Sequence, residues 1–253
     1  MLQIQTTALT TLIGAVIMFV AAIVIGIRLQ HARAAALRPI QLFQWFFAFF
    51  GCFFLVMWLP NLLLTSRPAD FPATQAWAYV VGHGFLYAAF TTIGLMLCSI
   101  VPRLAGKDRW VLAVALSLGL VTTVMSAATM IGGTQPAYNY QQSVVEYHVA
   151  PVVGAAIGLF AMLTILPAGV LFAINALRNP AQRLRSGLLG AGFILMTLAG
   201  PLHDIATNWQ LLVIADITTI LSVAITGLGV LYRFDQSLSA PATADQSSLT
   251  PEL

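Results

Sequence analysis

The sequence predicts an all-α polytopic membrane protein, a seven-transmembrane-helix bundle with its N-terminus outside and its C-terminus in the cytoplasm. Three observations predict it. Of 253 residues, 59% are hydrophobic and only 8% are charged, whereas a water-soluble domain carries about 25% charged residues to wet its surface. Seven apolar runs lie between charged segments, each close to the roughly 20 residues that a helix needs to cross about 30 Å of hydrocarbon. The charge of the connecting segments alternates along the chain, which orients the bundle. A mean hydropathy of +0.90 excludes a disordered chain, and the scattered cations exclude a nucleic-acid partner, which needs clustered Lys and Arg.

The runs are Leu9 to Ile27, Ile40 to Leu64, Trp77 to Val101, Trp110 to Ile131, Val149 to Ala176, Gly187 to Leu202 and Leu211 to Leu231. Helices are expected because hydrocarbon offers no partners for backbone groups, and the runs lack the polar alternation of a lumen-lined barrel. Met1 to Thr7 has no basic start, and the run after it exceeds a signal's apolar stretch, so the first helix is expected to remain. Pro60, Pro102 and Pro201 stand near run ends as stops, while Pro167 lies inside the fifth run and is expected to kink it. Gly154 and Gly158 allow a neighbouring helix to approach closely. Trp45, Trp58, Trp77, Trp110 and Trp209 stand toward run ends, as interfacial anchors do.

Arg28, Arg33 and Arg38 follow the first run; Arg103, Lys107 and Arg109 the third; Arg178, Arg183 and Arg185 the fifth; and Arg233 the seventh. The other connections hold Arg67 or no cation. Odd-numbered connections are therefore expected in the cytoplasm, as in a bacterial-type plasma membrane. Residues 1–234 form the helical domain, and Asp235 to Leu253, rich in Ser, Ala, Thr and Pro, reads as a disordered cytoplasmic tail. Cys52 and Cys98 fall within spans, where packing is a more natural use than a disulfide.

Ionisable groups inside a membrane cost roughly 2.5–3.5 kcal/mol each, which makes each one a functional candidate. His83 falls about 9 Å below the outer end of the third run at 1.5 Å per residue, and Asp216 lies at a similar depth in the seventh. His148 with Glu146 opens the fifth run, and His203 with Asp204 closes the sixth. The last four are interfacial, where polar residues are ordinary; the deeper pair is the more telling. Polar stripes accompany them: His83, Tyr87, Thr91, Gly94 and Cys98 in the third run, Ser186, Gly190, Thr197, Gly200 and Asp204 in the sixth, and Asp216, Thr219, Ser222 and Thr226 in the seventh. Such seams must turn toward one another. The expectation is an outward-opening polar cavity between the third, fifth, sixth and seventh helices, with Tyr87, Thr91 and Thr219 in its wall.

Neutral imidazole ligates zinc, copper and haem iron. His83, His148 and His203 could therefore hold a haem, or with Asp204 or Asp216 a transition metal, for electron transfer or redox sensing. The stretch His83-Gly-Phe-Leu-Tyr-Ala-Ala-Phe, running on to Ile100-Val101-Pro102-Arg103, resembles over one helix the segment of haem–copper oxidase core subunits that carries a low-spin haem ligand. That resemblance implies a haem-ligating role for His83; the further histidines of that family have no counterpart here. A receptor-like bundle that binds a small ligand and signals through a separate membrane or cytoplasmic partner is the alternative, with a small transporter behind it. Lys107 is the only lysine, so a retinal Schiff base in the seventh helix is excluded. Gly-x-Ser-x-Gly, His-Glu-x-x-His and P-loop motifs are absent.

Overall fold

The computed structural model describes residues 6–30, 34–139, 144–147, 149–204 and 209–232. Its long helices are α1 (Thr6–Leu29), α2 (Ala34–Trp58), α3 (Phe71–Ile100), α4 (Asp108–Ser126), α5 (Pro151–Arg178), α6 (Arg183–Asp204) and α7 (Trp209–Leu231). Among the described residues, six of them, all but α6, are long and apolar enough to cross a membrane. Arg183 and Arg185 in the first turn of α6 dilute its apolar character. The chain is thus an all-helical bundle of membrane type, able to contact lipid. His148 and the tail from Asp235 lie outside the described residues.

Local signals explain most boundaries. Pro60 and Pro102 lack the N–H that would continue a helix, and each opens a short 3-10 turn, Leu59–Leu62 and Pro102–Leu104, directly beyond α2 and near the end of α3. Pro72 and Pro151 stand in the first turns of α3 and α5, where no N–H is needed. Pro167 and Pro39 lie inside α5 and α2. Contrary to the expected stop, α6 continues past Pro201 to Asp204. α3 begins six residues before the expected Trp77, and α4 runs on into a π-turn, Ala127–Ile131. One feature departs from an all-helical reading: strands β1 (Ala137–Asn139) and β2 (Val144–Glu146) form an antiparallel hairpin between α4 and α5. Tyr138 and Val145 are residue types that suit a pleated, half-buried surface.

The helices close into a ring in the order α1, α2, α3, α5, α6, α7 and back to α1, with α4 outside it against α3 and α5. Trp110 and Leu116 of α4 are each 73% exposed, as a lipid-facing surface should be. Glycines set the closest approaches. A Cβ on Gly190 would stand 2.8 Å from the Ala173 backbone of α5, and one on Gly192 would meet Thr226 of α7. Between α2 and α6 the core is aromatic: Phe46, Phe47 and Phe193 are fully buried, and the rings of Phe46 and Phe193 lie 5.3 Å apart.

Candidate functional site

A cavity of about 680 Å³ opens at the hairpin end of the ring. Its wall takes residues from α1, α2, α3, α5, α6 and α7 and from the hairpin. The greater part is apolar or aromatic, with Phe50, Phe53, Phe54, Met57, Phe90 and Met196 among the lining side chains. Thr10 and Thr11 of α1 and Asn139, Glu146 and Tyr147 of the hairpin region give it polar groups, and three further helices add the rest. His83 and Tyr79 come from α3, His203 from α6, and Asp216, Thr219 and Ser222 from α7.

His83 is buried, one helical turn beyond Tyr79. Its Nδ1 lies 2.8 Å from the Tyr79 carbonyl oxygen. A carbonyl can only accept, so Nδ1 carries the proton and Nε2 keeps its lone pair. The ring is fixed as well, stacked on Tyr79 at a centroid distance of 3.9 Å and edge-on to Phe53 at 5.6 Å. A neutral imidazole with Nδ1–H held by a backbone carbonyl is the arrangement by which proteins orient metal-ligating histidines.

His203 has the opposite tautomer. The Thr219 hydroxyl donates to the Ala215 carbonyl at 2.9 Å, which uses its only proton. At 3.3 Å it can therefore only accept from His203 Nε2. The same Nε2 lies 3.7 Å from Asp216 Oδ1, and Asp216 is 5% exposed. His203 and Asp216 thus form one polar unit across α6 and α7, in which Nε2 is a donor and not a free ligand.

At the mouth, Asn139 of β1 donates to Glu146 of β2 at 2.9 Å. The Tyr147 hydroxyl accepts a hydrogen bond from Gln75 of α3, and its ring leans on Tyr79 at 5.3 Å. Burial pushes the Tyr147 phenol above its ordinary range, against the opposing pull of the Gln75 bond. The hairpin is thereby tied to the helix that carries His83.

His83, His203, Asp216 and Thr219 therefore share one cavity. Tyr87 and Thr91 are engaged elsewhere. The Tyr87 hydroxyl bonds Thr122 of α4 at 2.8 Å, and Thr91 donates to the Tyr87 carbonyl at 2.6 Å. His148 lies outside the described residues, and for Asp204 the backbone alone is described. Among the described residues, no three His, Cys, Asp or Glu side chains are grouped to hold a metal ion. The walls from α1 and α2, including Thr10 and Phe53, had no forewarning in a search for ionisable groups. Comparison with known protein families, curated proteins and solved structures finds no match. The site's own chemistry is then the basis for a functional reading.

Proposed function

We propose that the chain is a seven-span membrane protein, N-terminus out and C-terminus in, whose outward cavity holds a haem ligated by His83, for electron transfer or redox sensing. The observation that carries this reading is the imidazole of His83: buried, locked by two aromatic rings, protonated at Nδ1 and so presenting an unprotonated Nε2. Haem iron takes one or two axial side chains, whereas structural zinc takes four and catalytic zinc three. The haem form is therefore preferred over a bare metal ion. Aromatic walls suit a flat apolar macrocycle, and exclusion of water tunes its potential. The alternating basic connections support the orientation and the seventh span.

The purified protein in mild detergent should show a Soret band that shifts on reduction, and His83→Ala should abolish it while the protein stays folded. A colourless wild type that takes up no added haemin, or full absorbance in His83→Ala, refutes the assignment. A second reading is favoured by the His203–Asp216 unit, a buried carboxylate facing a mostly apolar cavity. It is that of a receptor-like protein binding an amphiphile with a cationic or hydrogen-bond-donating group. On that reading Asp216→Asn weakens ligand binding and His83→Ala does not.

A further inference from the structure

His203, Thr219 and Ser222 line the cavity, and each has already spent its proton. The Ser222 hydroxyl donates to the Thr219 carbonyl at 2.8 Å, and the Thr219 hydroxyl to the Ala215 carbonyl at 2.9 Å. His203 turns its Nε2 proton toward the same helix, to Thr219 Oγ1 at 3.3 Å and beside Asp216 Oδ1 at 3.7 Å. Its Nδ1 therefore keeps a lone pair. The two nitrogens of an imidazole face apart, so Nδ1 is directed away from Thr219, and among the described residues it has no hydrogen-bond partner. Accessibility separates the two members of the His203–Asp216 unit: the His203 side chain is 37% exposed and that of Asp216 7%. An occupant therefore meets the imidazole more than the carboxylate. The rest of the wall from α6 is Met196, Ala199 and Gly200, which offer no side-chain hydrogen bond.

A lone pair without a partner in a mostly apolar cavity is a hydrogen bond left unmade, and the group that completes it must be a donor. A neutral imidazole offers a cation no counter-charge, and a cation drawn from water into an apolar cavity gives up hydration that is not replaced. A hydroxyl costs far less to bury and has one proton to give. We infer that the cavity takes an uncharged, apolar hydroxyl compound, an alcohol or phenol, whose O–H donates to His203 Nδ1 while its hydrocarbon body lies against the wall that contains Phe50, Phe53, Phe54 and Met57. This rests on the receptor-like reading above and narrows its ligand to neutral hydrogen-bond donors. Pockets of this kind, apolar with a few placed polar groups, fix a ligand's orientation through those groups.

The test uses the full chain in neutral detergent, titrated calorimetrically at neutral pH with para-butylphenol, its methyl ether para-butylanisole, and para-butylphenyltrimethylammonium, the heat of protein-free micelles being subtracted. At this pH the phenol keeps its proton. It should bind saturably and about tenfold or more tighter than the ether, which shares its skeleton but has no proton to give. In His203→Phe the phenol should fall to the level of the ether, while the ether's own affinity changes little. In His203→Gln, whose amide oxygen can still accept, part of the preference should remain. Equal binding of phenol and ether, or a preference that survives in His203→Phe, overturns the inference and leaves the receptor-like reading standing. Tighter binding of the trimethylammonium probe does the same and assigns the ligand as a cation. Lack of saturable binding by all the probes overturns both. The comparison of probes on the wild-type chain decides the matter even where a variant fails to fold.

Discussion

Gly192→Ala tests whether the α6–α7 contact is as close as the structure has it. The added Cβ would run into Thr226 Oγ1 and stand 2.9 Å from the Thr226 nitrogen and 3.1 Å from the Ser222 carbonyl oxygen. Non-bonded heavy atoms prefer separations of about 3.5–4.0 Å. The Thr226 hydroxyl could rotate away only by giving up its 2.7 Å bond to the Ser222 carbonyl, and the backbone contacts would remain. The two helices must then separate by roughly half an ångström or more, and overpacking of this kind costs about 1–3 kcal/mol. For a chain of this size that is a fall of roughly 2–12 °C in unfolding temperature. The assay is thermal unfolding in detergent, with Gly84→Ala as control. Gly84 faces open space, so alanine there should be neutral or stabilising by up to about 1 kcal/mol. Gly192→Ala and Thr226→Ala should be non-additive, since they share a contact. If Gly192→Ala unfolds no earlier than Gly84→Ala, the helix separation described above is wrong. Because α6 and α7 carry His203 and Asp216, the same substitution should also disturb the 3.7 Å approach at the cavity.

Tyr147→Phe removes the acceptor of the Gln75 amide, whose Oε1 is already without a hydrogen-bond partner among the described residues; a loss of about 1–3 kcal/mol is expected by thermal unfolding. Tyr87→Phe breaks the buried bond to Thr122 between α3 and α4, and here about 0.6 kcal/mol is expected, the average for such bonds in membranes. Arg38→Ala removes the 2.7 Å ion pair with Asp108. Since Arg38 is 62% exposed, the change in stability should stay below about 1 kcal/mol and vanish in high salt.

The helices were legible because hydrocarbon imposes one rule on every span: backbone groups must pair within the segment. Runs between charges therefore marked seven spans, and each falls on one of the long helices; among the described residues six of those helices are long and apolar enough to cross a membrane, and α6, with two arginines in its first turn, is not among the six. The hairpin was not legible. Three-residue strands carry too little periodicity to be read, and Ala137–Asn139 and Val144–Glu146 are no longer than that. Helix order around the ring was likewise hidden, since it is set by contacts such as Gly192 on Thr226 and Gly190 on Ala173 between residues distant in sequence.

The same limit explains which polar residues reach the cavity. His83, Tyr87 and Thr91 are spaced by four, and at 100° per residue each such step overshoots a full turn by about 40°. By Thr91 the stripe has rotated about 80° from His83, toward α4, where Tyr87 meets Thr122. The residues that line the cavity from α3, Tyr79, His83, Leu86 and Phe90, mix steps of three and four and stay on one face. Apart from His83 they have no imidazole or carboxylate to mark them out from other residues of an apolar span. On α2 the wall is built from Phe50, Phe53, Phe54 and Met57, residues that in sequence cannot be told from lipid-facing ones. Depth and charge therefore locate His83 and Asp216 in one dimension. It is the aromatic face of α2, turned inward against α3 by the closed ring, that makes the space between them a cavity.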